Sequence, residues 1–336
     1  SLALSSRVWR RILAVLSGLV VGCFKESPKE VWIYTSLYKD TIADIQPKLE
    51  ADFPGVKFNF FQAGSEDIAT RVNAEKLAGN TKVDILISSD RFWYEDLANQ
   101  GALVPFKPTV ADQIDASFKH AGGLYTAVSI PVMVLAYNTE ALGTKAPPKG
   151  FSELADSKWK DAFTTGSPLE SGTNFTTVAF LVEKYGWDFF KKLKDNNTLS
   201  QGGNSAVMRR LQTKEKPVGW VLLENMLRVQ STDQRLKTVI PSDGAVMHNN
   251  VLAIMKKEDA HPAVAKVADW FFGSKGQEAM IRSFMYSPIT NSPDPVGAPS
   301  FKEIKEKAMP WSEEFVKKTV SARDKMKETY TEIMFK

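Results

Sequence analysis

The amino-acid sequence predicts an α/β protein whose mostly parallel β-sheets are flanked by helices. Residues 31–99 repeat one pattern three times: an apolar strand, a polar turn, and then a helix with one apolar face. That alternation is typical of βα units arranged on a parallel sheet. The 336 residues are enough for two ordinary domains, and their 43% hydrophobic and 24% charged content is typical of a globular protein.

The three predicted βα units follow one another directly. Their strands cover residues 31–35, 56–60 and 83–87, where apolar side chains dominate or alternate with polar ones. Each following helix has apolar residues at helical spacing, and Ser65 is a candidate N-cap with two acidic residues in the first turn behind it. Pro47 is expected to interrupt or kink the first helix.

The rest of the chain predicts further strands between helices. A long β-type run covers residues 129–137, and shorter apolar strands are expected at 217–223 and 251–255. A helix is expected to open at 171–174, and the tail is mostly helical in pattern. Pro, Ser and Asn crowd the segment 287–299, which predicts a loop on the surface.

Residues 1–22 are typical of a secretory signal. Three arginines precede the apolar run 12–21, and the small Gly22 stands before the expected cleavage point. Cys23, the only cysteine, follows directly as in a bacterial lipobox, which predicts acylation of its sulfur and a lipidated tether over residues 23–30. The apolar run is about half of the roughly 20 residues that a membrane-spanning helix needs. An ordinary signal peptide or a short anchor with an incidental cysteine is the alternative.

The charge balance argues against nucleic acid as a partner. Arg7, Arg10 and Arg11 lie in the predicted signal, so 40 of the 43 basic residues face 39 acidic ones in the remainder. A nucleic-acid-binding protein should show a basic stripe, and none is visible in the sequence. With Cys23 acylated, no thiol remains for an internal disulfide or a thiolate metal site.

Several polar turns share one position, between the carboxyl end of a strand and the amino end of a helix. Ligands bind at that place in open α/β sheets, and the free N–H groups of a helix start favour anions. Hydroxyl side chains add hydrogen-bond donors there without adding charge. Each of them alone is explained as an N-cap. Together they favour an anion site, and they are Ser36, Ser65, Ser89, Ser171 and Thr173.

Motifs of the common enzyme classes are missing from the sequence. G-x-S-x-G, H-E-x-x-H, the phosphate-binding loop and G-x-G-x-x-G do not occur. The three histidines lie far apart, with no spacing typical of a metal or catalytic site. An extracytoplasmic hydrolase would need a nucleophile–base pair or a metal cluster, so no enzyme is expected. Glu224, at the end of an apolar strand, is either solvated or available to a ligand.

In order and spacing, several segments resemble those of the periplasmic solute-binding proteins of ABC importers. The branch is the one that holds ferric-iron, phosphonate, polyamine and sugar-phosphate binders. The resemblance covers roughly residues 31–290. The segments that carry it are 31–36, 63–65, 84–90, 92–94, 154–160, 171–173, 241–244 and 272–277.

The resemblance implies a two-lobed, hinged clamp in which each lobe is a mostly parallel sheet flanked by helices. Crossing strands near residues 130–138 and 238–246 would join the lobes. Lobe one would comprise residues 31–130 and 246–336, and lobe two residues 131–245. The clamp would enclose a small anionic solute in its cleft and deliver it to the ABC permease subunits of the inner membrane. It is expected to be a lipid-anchored periplasmic monomer with no cofactor and no metal.

The resemblance also implies which residues contact the solute. They lie in the polar turns, at the end of the strand before Glu224, and around the second crossing. The expected ligand-binding residues are Ser36, Tyr38, Gly64, Ser65, Ser89, Asp90, Ser171, Gly172, Thr173, Asn174, Asn204, Glu224, His248 and Asn250.

Departures from the family pattern bear on the identity of the solute. Ferric-iron members place adjacent tyrosines where this chain has Glu224 and Asn225, so iron lacks its phenolate ligands. Polyamine members place a tryptophan and an aspartate where this chain has His248 and Asn250, so the carboxylate that would grip an ammonium is missing. The serines, Thr173 and Glu224 fit a sugar phosphate best, and an aminophosphonate is the close rival. A sensor that presents its ligand state to a membrane receptor is the other alternative.

Overall fold

The computed structural model describes residues 28–336. The predicted signal, Cys23 and most of the predicted tether therefore lie outside the described residues, and Glu30 at the end of that tether already belongs to a strand. The three predicted βα units are confirmed. Their bounds are β1 Glu30–Thr35, α1 Lys39–Asp52, β2 Lys57–Gln62, α2 Ser65–Leu77, β3 Ile85–Ser88 and α3 Arg91–Asn99.

Two details of these units differ from prediction. The N-cap of α2 is Gly64 rather than Ser65. Ser65 is the first helical residue, and its hydroxyl lies 2.8 Å from the hydroxyl of Ser89 instead of capping its own helix. Pro47 lies inside α1 and does not end it, since the helix continues to Asp52.

The first sheet carries these three strands together with segments from later in the chain. Its order is β2-β1-β3-β12-β4, and β5 also pairs with β12. β1 is parallel to β2 and β3, whereas β12 is antiparallel to all of its partners. The added strands are β4 Leu103–Val104, β5 Thr126–Ser129 and β12 Asn250–Met255.

The second sheet is built from the middle of the chain. Its order is β10-β6-β9-β7-β8, and β11 also pairs with β6. β7 is parallel to β8 and β9, whereas β6 is antiparallel to β9, β10 and β11. The strands are β6 Val132–Asn138, β7 Phe163–Thr165, β8 Leu199–Ser200, β9 Val218–Leu222, β10 Leu236–Val239 and β11 Val246–Met247.

Both sheets are therefore mixed, whereas the sequence predicted mostly parallel ones. Parallel pairing occurs where a helix connects two strands, because the crossover helix returns the chain to the same end of the sheet. β6 and β12 enter their sheets directly from the other lobe, without such a helix. They run against their neighbours, and the alternation of apolar and polar residues within one strand does not reveal that direction.

Helices flank both sheets. Short 3₁₀ helices cover Ala111–Gln113, Ala116–Phe118, Phe151–Ala155 and Ser157–Trp159. The remaining α-helices are α4 Thr139–Leu142, α5 Gly172–Tyr185, α6 Trp187–Asp195, α7 Asn204–Gln212, α8 Leu223–Val229, α9 Val264–Trp270, α10 Ser274–Arg282, α11 Phe301–Lys307 and α12 Glu313–Met334. Across residues 28–336, none of the helices combines the length and apolar character that crossing a membrane requires.

The chain passes between the two sheets at two neighbouring places. β5 leads into β6 through Ile130 and Pro131, and β11 leads into β12 through His248 and Asn249. The two crossings are tied together, since the His248 N–H donates to the Pro131 carbonyl at 2.7 Å. This arrangement of two sheets joined by two crossings is the two-lobed clamp that the family resemblance implies. The second crossing lies at His248 and Asn249 rather than near 238–246, because β11 still pairs with β6 of the second sheet.

The C-terminal tail differs from the predicted division into lobes. Residues 246–336 were all expected in lobe one, but the apolar face of α12 packs into the hydrophobic core of the second sheet through Phe315, Val316, Tyr330 and Met334. The Tyr330 hydroxyl also lies 2.6 Å from that of Ser200 on β8. Apolar periodicity predicts that a helix buries one face, but it does not say against which core.

Candidate functional site

A cavity of about 280 Å³ lies between the two lobes. Both sheets contribute to its wall, since the turns after β1, β2 and β3 meet the starts of the helices that follow β7, β8 and β9. The lining residues are Ser36, Leu37, Tyr38, Gln62, Ala63, Gly64, Ser65, Ser89, Pro131, Glu170, Ser171, Gly172, Thr173, Gly203, Asn204, Ser205, Leu222, Glu224, Asn225 and Asn250.

Helix starts converge on this cavity from both lobes. The N-cap residues of α1, α2, α7 and α8 are Tyr38, Gly64, Gly203 and Leu222, and none of them caps its helix with a side-chain hydrogen bond. Backbone N–H groups of the first turn have no partner within their own helix. The wall thus presents donors and the positive ends of helix dipoles, which favour an anion.

Hydroxyl and amide side chains add donors in one part of the wall, which we call the hydroxyl cluster: Ser65, Ser89, Ser171, Thr173 and Asn204. The hydroxyls of Ser171 and Thr173 are 3.1 Å apart, and the Asn204 side chain donates to the Thr173 hydroxyl at 2.9 Å. Ser65 contacts Ser89 at 2.8 Å. Because hydroxyl protons rotate, each of these hydroxyl groups can turn a donor towards a bound anion.

A second part of the wall, at Glu224, presents a hydrogen-bond acceptor instead of donors. Glu224 is only 2% exposed, and its Oε1 has no hydrogen-bond partner among the described residues. Burial raises the pKa of this carboxyl from 4.5 to about 7, against the opposing effects of the Tyr38 hydroxyl and the charge of Arg228. A buried carboxylate oxygen without a partner is costly, so a ligand that offers a hydroxyl or an amine would stabilise it.

No lysine or arginine lines the cavity within the described residues 28–336. The two charged lining groups are the carboxylates of Glu170 and Glu224, and Glu170 is engaged by the Gly202 N–H at 2.8 Å. In the same part of the chain, no three His, Cys, Asp or Glu side chains are grouped as a metal ion would require. Any anion held here would therefore rely on N–H and O–H donors.

Most of the predicted ligand residues line the cavity, but three do not. Asp90 lies behind the wall, where its carboxylate caps α3 and pairs with Arg323 of α12. Asn174 also lies behind it, accepting from the Trp220 indole N–H at 2.8 Å while donating to Ser171 at 3.0 Å. Direct contact with the solute is therefore corrected to a supporting position for both residues.

His248 is the third predicted ligand residue that lies outside the cavity lining. Its ring is fully buried under α5, with Nε2 3.3 Å from the Thr177 hydroxyl. Burial lowers the pKa of the imidazole to about 3, so the ring is neutral under ordinary conditions. The second crossing turns this side chain towards the core of the protein instead of the cleft.

Sequence reasoning missed several lining residues. Gln62 and Glu170 directly precede predicted turns, and Asn225 directly follows Glu224. The sequence did show that these residues adjoin predicted ligand residues. A single sequence does not show, however, which side of a turn faces the other lobe. The additional apolar members of the wall are Leu37, Ala63, Pro131 and Leu222.

The two lobes touch beside the hydroxyl cluster. A Cβ atom added to Gly172 of the second lobe would lie 2.9 Å from the Ser65 Cβ and 3.1 Å from the Asp90 Cβ of the first lobe. A Cβ on Gly64 would lie 3.8 Å from the Glu170 carbonyl oxygen. The described conformation is therefore a closed one, in which the two lobes are in direct contact beside the cavity.

The chain is similar to known binding proteins in sequence and in fold. The model of the bacterial extracellular solute-binding protein family matches residues 80–313. A probable ABC transporter periplasmic-binding protein of Sinorhizobium fredii, y4fP, is 20% identical over 250 residues, covering 71% of this chain and 69% of that protein.

Solved structures share the fold over nearly the whole chain. The periplasmic binding protein AfuA from Actinobacillus pleuropneumoniae, with exogenous fructose-6-phosphate bound, has a TM-score of 0.81 at 22% identity and covers 91% of this chain and 99% of its own. Iron-bound HitA from Pseudomonas aeruginosa has a TM-score of 0.77 at 15% identity and covers 90% of this chain and 99% of its own.

One conclusion follows from the two lobes, the cleft lined by hydrogen-bond donors and the family match across most of the chain. Proteins of this kind bind small solutes outside the cytoplasm and work with ABC permeases, and they are not enzymes. The chain belongs to the bacterial extracellular solute-binding protein family.

Proposed function

We propose that the solute is a small organophosphate and that a sugar phosphate fits best. One observation carries this proposal: the same cavity combines helix starts without side-chain caps and the hydroxyl cluster with a buried oxygen of Glu224 that has no hydrogen-bond partner in the part of the chain that the structure describes. The first feature matches a phosphate group, and the second matches a hydroxyl-bearing group on the same molecule.

The phosphate would sit among neutral donors. Helix starts and hydroxyls bind a phosphate without a lysine or arginine in the wall, as the geometry of phosphate sites at helix N-termini allows. A polyamine would place ammonium groups against these positive dipole ends, which is unfavourable. Ferric iron would find one tyrosine, Tyr38, in the described wall and no grouped set of ligands.

Glu224 can serve a sugar phosphate or its close rival. An aminophosphonate would pair its ammonium with the carboxylate, and the buried Oε1 without a partner among the described residues is the observation that keeps it as the second candidate. A sugar phosphate would donate hydroxyl hydrogens to the same oxygen. The fructose-6-phosphate bound to AfuA, which shares the fold, supports the sugar phosphate.

A thermal-shift panel on the purified chain tests the proposal. The panel contains hexose phosphates, an aminophosphonate, inorganic phosphate, ferric citrate and spermidine. A solute at 100 times its dissociation constant adds about 2.7 kcal/mol, which raises the Tm of a protein of this size by several degrees. We expect shifts only with the phosphorylated compounds, largest with hexose phosphates.

Thr173→Val is the matched variant for the panel. The variant keeps the shape of the side chain and removes the hydroxyl of the hydroxyl cluster, so we expect phosphate-dependent shifts to shrink by the equivalent of roughly 1–3 kcal/mol. A shift with ferric citrate or spermidine alone would contradict the proposal. An unchanged shift in the variant would mean that Thr173 serves only the helix start.

We also propose that the protein is a monomer anchored through Cys23. The basic stretch, the short apolar run and the single cysteine support this N-terminal processing. Expressed in a bacterial host, the chain should enter the detergent phase on Triton X-114 partitioning, and Cys23→Ala should move it to the aqueous phase. Equal partitioning of the two proteins would contradict acylation, and light scattering of the Cys23→Ala protein measures the oligomeric state.

A further inference from the structure

Arg228, on α8 of the second lobe, reaches across the cleft to three groups of the first lobe. Its guanidinium pairs with the Asp40 carboxylate in the first turn of α1. The same group lies 4.4 Å from the centre of the Tyr38 ring. It also donates to the Ser283 carbonyl, at the end of α10, at 3.3 Å.

These contacts exist only while the lobes are together. α1 and α10 pack on the core of the first sheet, whereas α8 follows β9 of the second sheet and adds Leu223 and Leu227 to the same buried cluster across the boundary between the lobes. The Arg228 side chain is 21% exposed in this closed conformation, although it belongs to a residue type that is usually solvated. If the cleft opened, the guanidinium would lose the carboxylate, the ring and the carbonyl in one movement.

The Arg228 contacts lie directly beside Glu224, the hydrogen-bond acceptor in the wall of the cavity. Glu224 lies one helical turn before Arg228 on α8, so both side chains project from the same face. Tyr38 contacts both of them, since its hydroxyl interacts with Glu224 while its ring lies under the guanidinium. Asn225 adds a further contact, with its side-chain nitrogen 3.5 Å from the Tyr38 hydroxyl.

We propose that Arg228 is a positioning residue that latches the closed clamp and holds Tyr38 against Glu224. Arginine suits this role because its planar fork can address a carboxylate and a carbonyl while its face stacks on a ring. The latch deepens the proposed function, because the side chains on the Glu224 side of the cavity are then held in place only when the lobes are closed. Solute release then requires that the latch break.

Arg228→Gln tests the latch, with Arg282→Gln as the matched control. Arg282 pairs with Asp44 on the same helix α1 at 2.8 Å, but both partners belong to the first lobe. Dissociation of fructose 6-phosphate, used as the probe, is followed by stopped-flow tryptophan fluorescence. We expect Arg228→Gln to speed dissociation roughly tenfold, since an ion pair and a cation–π contact are lost together, while association changes little.

Two further variants show whether the effect passes through the proposed partners. Asp40→Asn should speed dissociation by itself and add nothing in the Arg228→Gln background, because both changes break the same pair. Arg228→Lys should recover only part of the wild-type rate, since it keeps the charge and loses the fork. Equal dissociation rates for Arg228→Gln and Arg282→Gln would overturn the latch.

Solution scattering of the solute-free protein keeps the test independent of the choice of solute. If fructose 6-phosphate fails to bind the wild type, the proposed sugar-phosphate function has failed, and scattering alone judges the latch. The latch predicts that Arg228→Gln has a larger radius of gyration than the wild type and Arg282→Gln. Identical scattering from all three proteins would then reject it.

Discussion

Glu224→Gln should weaken solute binding and at the same time stabilise the empty protein. The carboxyl is 2% exposed, and burial raises its pKa to about 7 in the folded state, against 4.5 when it is unfolded and solvated. Between those two values the folded protein binds more protons than the unfolded chain, so stability is lost as the pH rises through about 7. Glutamine keeps the shape and removes the charge.

Denaturant unfolding at two pH values measures the stability effect. At pH 8 the ionised carboxylate costs the empty protein on the order of 3 kcal/mol, and Glu224→Gln should recover much of that amount. At pH 5 wild-type Glu224 is protonated in the folded state, so the two proteins should differ far less. A variant that is less stable than the wild type at pH 8 would contradict the assigned burial cost.

The binding effect should have the opposite sign. If the carboxylate accepts hydrogen bonds from the solute, its replacement should weaken binding of a hexose phosphate by roughly 1.5–3 kcal/mol. Wild-type affinity should rise with pH through about 7 as Glu224 ionises. The phosphate of the solute titrates in the same range, but that contribution is common to both proteins. The difference between the two calorimetric pH profiles therefore isolates Glu224, and parallel profiles would remove it from the site.

Gly172→Ala should prevent the clamp from closing fully. The added methyl carbon would lie 2.9 Å from the Ser65 Cβ and 3.1 Å from the Asp90 Cβ, which belong to the opposite lobe and are fixed to its backbone. Relief of such overlap costs about 1–3 kcal/mol, and here the easiest relief is a wider cleft. We therefore expect solute affinity to fall by about ten- to a hundredfold, with faster dissociation.

Gly203→Ala is the control for that substitution. Gly203 also lines the cavity and also lies at the start of a helix, as the N-cap of α7, but a Cβ there would meet nothing within 4 Å. Its φ of −100° suits an alanine. Calorimetry on both variants should show a large loss for the first and little change for the second, and equal affinities would mean that the approach of Gly172 to Ser65 is not required for binding.

Local sequence patterns predicted the parts of the wall that come from consecutive residues. The turns at Ser36, Gly64–Ser65, Ser89 and Ser171–Thr173 all line the cavity, because a strand that ends where a helix begins necessarily brings its turn to one edge of the sheet. Glu224 was found for the same reason, in the first turn of α8 directly after β9. These features depend on chain order alone.

The predictions of ligand contact were wrong where a side chain can point either into the cleft or into the packed interior. His248 and Asn174 occupy positions next to the cleft, yet both point into packed interior against Thr177 and Trp220. The direction of β6 and β12 and the docking of α12 on the second core were also hidden from the sequence. In each case the partner lies far away along the chain, so no local pattern contains it.

By itself, the sequence determined the α/β class, the three opening βα units and the set of donor-rich turns, because each rests on hydrophobic periodicity and on residues that start helices. Only the tertiary structure decided which turns face each other across the cleft, that Glu224 is buried with no partner for its Oε1 among residues 28–336, and that Arg228 reaches Asp40. Those properties arise when two lobes meet, and the free energy of each contact depends on groups that the neighbouring lobe supplies.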